Sequence, residues 1–406
     1  MIQLFKMAFR DLGRNRRRSF LSSLALAMGL AMLILVAAFV NGEYSGAMDS
    51  SIRLQSGHLQ VRAKSYDENR TSLKWEDLVE NPNQVAAQIA ALAPVQVATP
   101  RLFASGILAV RDETAGVRIM GIEPESAAND PYRKGLISGQ FLSADDHEGL
   151  LIGQPLAEKM GLKVDDRLNL SVNTSDGQVA EQLFVVRGIY STQTYGFDGS
   201  TLLLPLAKAQ AISGAGDHAS TIFVLLKDKE QTQAVATALQ GSSNYEILTW
   251  MKMNELVLET EKLAAGYISI MYMIVLGITA SVIMNTLIMA VFERTREIGI
   301  LAAIGMRGRR IMAMFLAESS LLAVGGIVMG VVLGLLWVAY FDRTGFYIGN
   351  MGVNGMLIGN TIYTKLTVSD TVNLTIISFV ITLLAGLYPA ILAARMEPVD
   401  ALRGGK

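Results

Sequence analysis

The 406-residue chain contains no cysteine. That excludes a thiol nucleophile, a Cys-ligated zinc, an iron–sulfur cluster and a disulfide-stapled fold. Histidine is almost as scarce: His58, His147 and His218 lie far apart and form no metal-ligand spacing. Charged residues make up 17% of the chain, against about a quarter in a soluble domain. No G-x-x-x-x-G-K-[ST], G-x-S-x-G or H-E-x-x-H run occurs, so the sequence offers no phosphate-cradling loop, nucleophile elbow or zincin helix.

Apolar residues are abundant instead. They make up 51% of the chain, and the mean hydropathy is +0.36. Four stretches are long and apolar enough for a bilayer core, which takes about 20 residues: 20–40, 263–292, 311–341 and 374–394. The first is longer than the apolar run of a cleaved leader and reads as a true span. Basic residues flank the spans asymmetrically. Lys6, Arg10, Arg14, Arg16, Arg17 and Arg18 precede the first, and Arg294, Arg296, Arg307, Arg309 and Arg310 lie between the second and third. Arg395, Arg403 and Lys406 follow the fourth, whereas the loop at 342–373 has only Arg343 and Lys365. The positive-inside rule then puts both termini and the 293–310 loop in the cytoplasm and residues 41–262 outside. That outer segment holds 19 Lys and Arg against 28 Asp and Glu, an acidic balance that argues against nucleic acid.

Within the outer segment, 83–92 and 155–161 have helical spacing, and 58–62, 107–110, 117–122, 167–172, 183–187 and 221–226 alternate as strands. Asn173–Thr174–Ser175–Asp176–Gly177 reads as a hairpin turn. The expected architecture is an α-helical integral membrane protein with four transmembrane helices plus an α+β extracytoplasmic (periplasmic) domain between helices 1 and 2. Nothing in this domain looks catalytic. Asp145, Asp146, His147 and Glu148 read as a solvated turn.

Several residues in the spans stand out. Gly326, Gly330 and Gly334 recur every four positions in the third span, a packing face within the bundle or at a permease dimer. Glu318, two turns inside that span, must find a partner. A structural hydrogen bond is expected, with Ser281 and Asn285 as candidates, and a proton relay is the alternative. Flexible methionines suit a surface that accepts varied acyl chains, though they also fill gaps or face lipid. Met28, Met32, Phe39, Met271 and Ile274 are the guesses for a substrate cavity. Between spans two and three, Ile298, Leu301 and Ile304 recur at helical spacing beside charged residues. Such a helix could lie on the inner leaflet or dock into a cytosolic partner.

The loop reads Glu293–Arg294, Arg296–Glu297–Ile298–Gly299, Leu301, Ala303, Gly305. It resembles the E-R-x-R-E-I-G-x-L-x-A-x-G run of the permease family that includes the LolC and LolE proteins, MacB and FtsX. Tyr388–Pro389–Ala390 and Pro398–Ala401–Leu402–Arg403 resemble its terminal pattern. Gly121–Ile122–Glu123–Pro124 and Ile152–Gly153–Gln154–Pro155–Leu156–Ala157 match its outer domain more loosely.

The resemblance implies the permease subunit of an ABC transporter working by mechanotransmission in the inner membrane. The loop would be a coupling helix, with the nine motif residues contacting a cytosolic ABC ATPase. This chain would bind no cofactor, with ATP and Mg held by that separate subunit. Expected partners are a second permease copy or sister permease, a lipoprotein substrate, a periplasmic carrier and membrane lipids. The implied domains are a cytoplasmic N-terminus at 1–19, a first span at 20–40 and a MacB-like core domain at 41–262. That core divides into a porter-like part (41–110 and 205–262) and a sabre-like insertion (111–204). The second span at 263–292, the coupling helix at 293–310, the third span at 311–341, a periplasmic loop at 342–373, the fourth span at 374–394 and a tail at 395–406 follow. Lipoprotein extraction is the leading expectation. MacB-like export of amphiphiles or peptides with a periplasmic adaptor, and FtsX-like control of a cell-wall hydrolase, are the alternatives.

Overall fold

The structure, a computed structural model, describes residues 7, 10, 16–67, 73–240, 245–349 and 357–397. The Pro398–Ala401–Leu402–Arg403 pattern and Lys6, Arg14 and Lys406 lie outside them. The chain divides into two compact units. One comprises Met1–Tyr44, Thr260–Phe346 and Ile362–Lys406, and the other Ser45–Glu259 and Tyr347–Thr361.

Four helices among the described residues are long and apolar enough to cross a membrane: Arg16–Ser56, Glu255–Glu293, Gly308–Thr344 and Val368–Ala394. Each extends beyond its apolar run, because a helix continues into polar sequence wherever its backbone bonds stay satisfied. The interior of the first unit is built from one face of each helix. Leu26, Leu30 and Ile34 meet Leu276, Ile283 and Leu287, with Leu322, Ile327 and Leu374. Ser319 Oγ donates to the Thr382 carbonyl at 3.2 Å, tying the third helix to the fourth. Pro389 sits inside the fourth helix and is buried.

The second unit is built on a ten-stranded mixed sheet. Its strands run in the order Glu246–Thr249, Leu59–Arg62, Thr221–Leu226, Val95–Val110, Glu113–Ile122, Thr201–Pro205, Gly149–Gly153, Val179–Tyr190 and Leu136–Gly139. Arg167–Asn173 bridges Val95–Val110 and Val179–Tyr190. Two hairpins are local, but Glu113–Ile122 with Thr201–Pro205 and Gly149–Gly153 with Val179–Tyr190 pair in parallel. The turn after Asn173 carries Gly177 at φ 81°, the left-handed backbone that its hairpin needs. Helices Pro82–Ala90 and Gln154–Met160 stand where helical spacing predicts them. Leu102, Leu108, Ile119, Leu150 and Phe184 centre one core, and Leu59, Val61, Ile222 and Val224 another.

Candidate functional site

The loop between the second and third long helices is a hinge followed by a short helix. The second long helix stops at Glu293, and a new helix covers Thr295–Ala303. Only Arg294 separates them, at φ −109° and ψ 15°, outside helical geometry. Gly305, at φ 96°, ends the short helix, and the third long helix starts at Gly308.

The motif residues divide between two faces. Facing inward, Ile298 and Gly299 are buried, and Ile298 joins Val291, Ile311, Met314, Phe315, Ala390 and Ala393 in one apolar cluster. The Arg294 guanidinium turns back into the bundle, with Nη1 3.5 Å from Glu318 Oε2 and side chains only 7% and 5% exposed. Glu293 pairs instead with Arg18 of the first helix, Nη1 to Oε2 at 2.6 Å, on a more open surface. Facing outward are Arg296, Glu297, Ile300, Ala303 and Ile304, together with Gly305 beyond the helix. Leu301 is half-buried. Ile304 is 80% exposed, so the run Ile298, Leu301, Ile304 is not one buried stripe. The buried edge begins at Arg294 and continues one turn on to Ile298, because the break in helical geometry at Arg294 offsets the short helix from the one before it.

The partner of Glu318 is therefore Arg294 rather than Ser281 or Asn285. The Ser281 hydroxyl donates to the Gly277 carbonyl of its own helix at 3.0 Å, and Asn285 is exposed. The partner lies not along the second span but at the residue that follows its last turn.

The glycine stripe meets the first long helix. A Cβ added at Gly326 would lie 2.9 Å from the Ser23 carbonyl oxygen, one at Gly330 2.9 Å from that of Ala27, and one at Gly334 3.1 Å from Ile34 Cβ. Met28, Met32, Met271 and Ile274 are exposed on the helix surfaces, and Phe39 packs edge-on against Phe346 at 5.6 Å. None of these five lines the pocket of about 250 Å³ formed by the first, second and fourth helices. Ala37, Val40, Ile268 and Leu374 form part of its apolar wall, and Asn41, Glu261 and Asp370 supply polar groups. Asn41 Nδ2 donates to Asp370 Oδ2 at 2.7 Å.

In the second unit the helix that begins at Arg16 closes with a π-turn, Ile52–Ser56. Two groups hold the Leu54 carbonyl there: Arg101 Nη1 donates to it at 2.8 Å and the Tyr132 hydroxyl at 2.7 Å. Arg101 is fully buried with its guanidinium over the Phe223 ring. Burial holds its pKa below the ordinary value, and burial pushes the Tyr132 hydroxyl up to about 12. A cation at a helix C-terminus meets the negative end of the helix dipole, which favours this arrangement. Arg101 had a sequence signature: it is the only charge in the apolar stretch Val95–Val110. Asp198 is also buried, and burial pushes its pKa up to about 6 despite hydrogen bonds from Thr192 and Ser191. Asp146 of the acidic turn pairs with Arg187, Nε to Oδ2 at 2.8 Å. Among the described residues no group of three or more His, Asp or Glu is placed to hold a metal ion.

The chain is similar to known proteins over nearly its whole length. Residues 19–242 match the MacB-like periplasmic core domain, and residues 269–398 the FtsX-like permease C-terminal region. The lipoprotein-releasing system transmembrane protein LolC of Neisseria meningitidis serogroup B is 24% identical, over 96% of this chain and 95% of its own length. LolE of Haemophilus influenzae is 23% identical over 94% and 93%. The macrolide export ATP-binding/permease protein MacB of a Shewanella species is 25% identical over 99% of this chain, which spans only 60% of that relative's length. The crystal structure of the periplasmic region of MacB from Actinobacillus actinomycetemcomitans covers 52% of this chain and 97% of its own, at 15% identity and a TM-score of 0.35.

Proposed function

The chain belongs to the family with the MacB-like periplasmic core domain and is an ABC transporter permease of the LolC/LolE–MacB–FtsX type, and from that premise we propose that it extracts lipoproteins from the outer leaflet of an inner membrane. In this reading a separate ATPase subunit binds ATP and Mg and hydrolyses the ATP. The short helix Thr295–Ala303 seats in that subunit through Arg296, Glu297, Ile300, Ala303 and Ile304. Both termini face the cytoplasm, and the acidic Ser45–Glu259 segment faces the periplasm. A second permease completes the complex.

The observation that carries the coupling assignment is the division of the loop helix into two faces. Its inner edge is anchored by a buried ion pair and an apolar cluster. Its outer edge presents two isoleucines among charges with nothing packed on Ile304, which is 80% exposed. An apolar anchor ringed by charge suits insertion into a protein groove.

Lipoprotein as cargo rests on the end-to-end similarity to LolC and LolE. The similarity to MacB supports export of amphiphiles as the second reading. Photo-crosslinkers at Met28 and Met32, which are exposed on the first long helix, discriminate the two. Capture of the acylated N-terminus of a triacylated lipoprotein supports release. Capture of only free amphiphiles, competed by a macrolide, supports export.

A further inference from the structure

We infer that the Arg294–Glu318 pair is the latch that passes displacement of the loop helix to the third long helix, an assignment that rests on the loop helix being the ATPase-docking element. The loop helix is joined covalently to the second long helix through Arg294 alone, and that residue is non-helical. Thr295 Oγ1, donating to the Phe292 carbonyl at 2.8 Å, and Arg294 N, donating to that of Ala290 at 3.2 Å, bridge the break, so part of a push on the outer face passes to the second helix. Two contacts on its inner edge carry the rest towards the third helix. Arg294 Nη1 lies 3.5 Å from Glu318 Oε2. One turn later, Ile298 packs in the cluster containing Ile311, Met314 and Phe315.

Arg294 and Ile298, one turn apart, thus meet the third helix through Glu318 and through the apolar cluster that includes Ile311, Met314 and Phe315. The short helix is therefore bound along an edge rather than at a point. The adjacent Glu293 reaches Arg18 of the first helix, but that pair is 24% and 44% exposed. Solvent screening makes it the weaker tether. Both side chains are buried, so removing one charge of the pair is strongly unfavourable. An acid inside a span thus acquires a mechanical role: it is a positioning residue for the transport cycle.

The cysteine-free chain allows a clean test that does not depend on cargo. Val332, 51% exposed on the third helix, is replaced by Cys and labelled with an environment-sensitive fluorophore. The protein is assembled in nanodiscs with its ABC ATPase, and the signal is compared nucleotide-free and after trapping with ATP and vanadate. A nucleotide-dependent change is expected with the pair intact. In Glu318→Gln the ATPase still binds, but the change falls by about tenfold or more, a loss of coupling within the range of linked sites. Arg294→Gln loses the change likewise, Arg294→Lys keeps it, and the exchange R294E/E318R restores it.

A full response in Glu318→Gln overturns the latch, as does a response lost equally in Arg294→Lys and Arg294→Gln. No response at Val332 with the pair intact and the ATPase bound also overturns it, since no force then reaches the third helix. Failure of the unaltered permease to bind its ATPase through the loop instead overturns the docking assignment beneath it.

Discussion

Replacing Ile300 and Ile304 by alanine separates the docking face from the fold that supports it. Each substitution deletes three carbons, and burying a CH2 contributes about 0.8 kcal/mol. Ile304 is 80% exposed in the isolated chain, so nearly its whole side chain is available for burial in a partner, roughly 2 kcal/mol. Ile300 is 44% exposed and supplies about 1 kcal/mol on the same scale. Together they contribute about 3 kcal/mol, a loss of roughly 100-fold in affinity for the ATPase at about 1.4 kcal/mol per decade. The assay is titration of labelled ATPase onto the permease in nanodiscs, with thermal unfolding of the permease as control. Unfolding should change far less than binding, because Ile304 is almost wholly exposed and Ile300 only half-covered. Ile298→Val is the opposite case: it trims a buried side chain, costs about 0.5–1.5 kcal/mol of stability and leaves affinity unaltered. Binding of the double alanine variant within about threefold of the parent, well below the loss that burial implies, would refute the reasoning. Equal weakening by Ile298→Val would also refute it.

Two further outcomes follow from buried sites. Burial raises the pKa of Asp198 from 3.8 to about 6, so its charged form is penalised in the folded protein. The stability it contributes is complete below about pH 4, is lost as pH rises through about 6 and stays lost above it, a change of about 3 kcal/mol. Asp198→Asn should flatten that dependence and protect the Gly149–Gly153 strand at pH 7.5, as read by hydrogen exchange. An unchanged pH slope would contradict the assignment. In the membrane part, Gly330→Ala places a methyl 2.9 Å from the Ala27 carbonyl oxygen and should destabilise the bundle by about 1–3 kcal/mol. Gly325→Ala, whose nearest neighbour would be Ser23 Oγ at 3.8 Å, should not destabilise the bundle in the same unfolding measurement, since alanine is the better helix former.

Some of this was legible in the sequence because it depends on local pattern. The four apolar runs mark the four long helices, but hydropathy reports only the stretch suited to lipid. The first helix therefore continues from the expected end at 40 to Ser51, through polar residues such as Asn41, Glu43 and Asp49. The strand 221–226 was readable from its β-branched and aromatic content. The strand Val95–Val110 shows strand alternation only at 107–110, because Pro100 interrupts the pattern and the residues around it are buried on both faces. The charge motif at 293–305 pointed to the loop. Its spacing suggested a stripe of Ile298, Leu301 and Ile304, whereas the buried edge runs through Arg294 and Ile298. That difference depends on a single non-helical residue. The pairing of Glu318 with Arg294 follows from the same break, with 23 residues between the two, and has no periodic signature. Arg101 was visible as a lone charge in an apolar strand, but its target, a helix-terminal carbonyl, is set by tertiary structure.

The measurement that most directly tests lipoprotein release by an ABC permease is mass spectrometry of the complex purified with its ATPase, before and after ATP. The account predicts a triacylated lipoprotein bound to the nucleotide-free complex and lost when ATP and Mg are added. A complex that holds its ATPase, hydrolyses ATP and never carries a lipoprotein would contradict it.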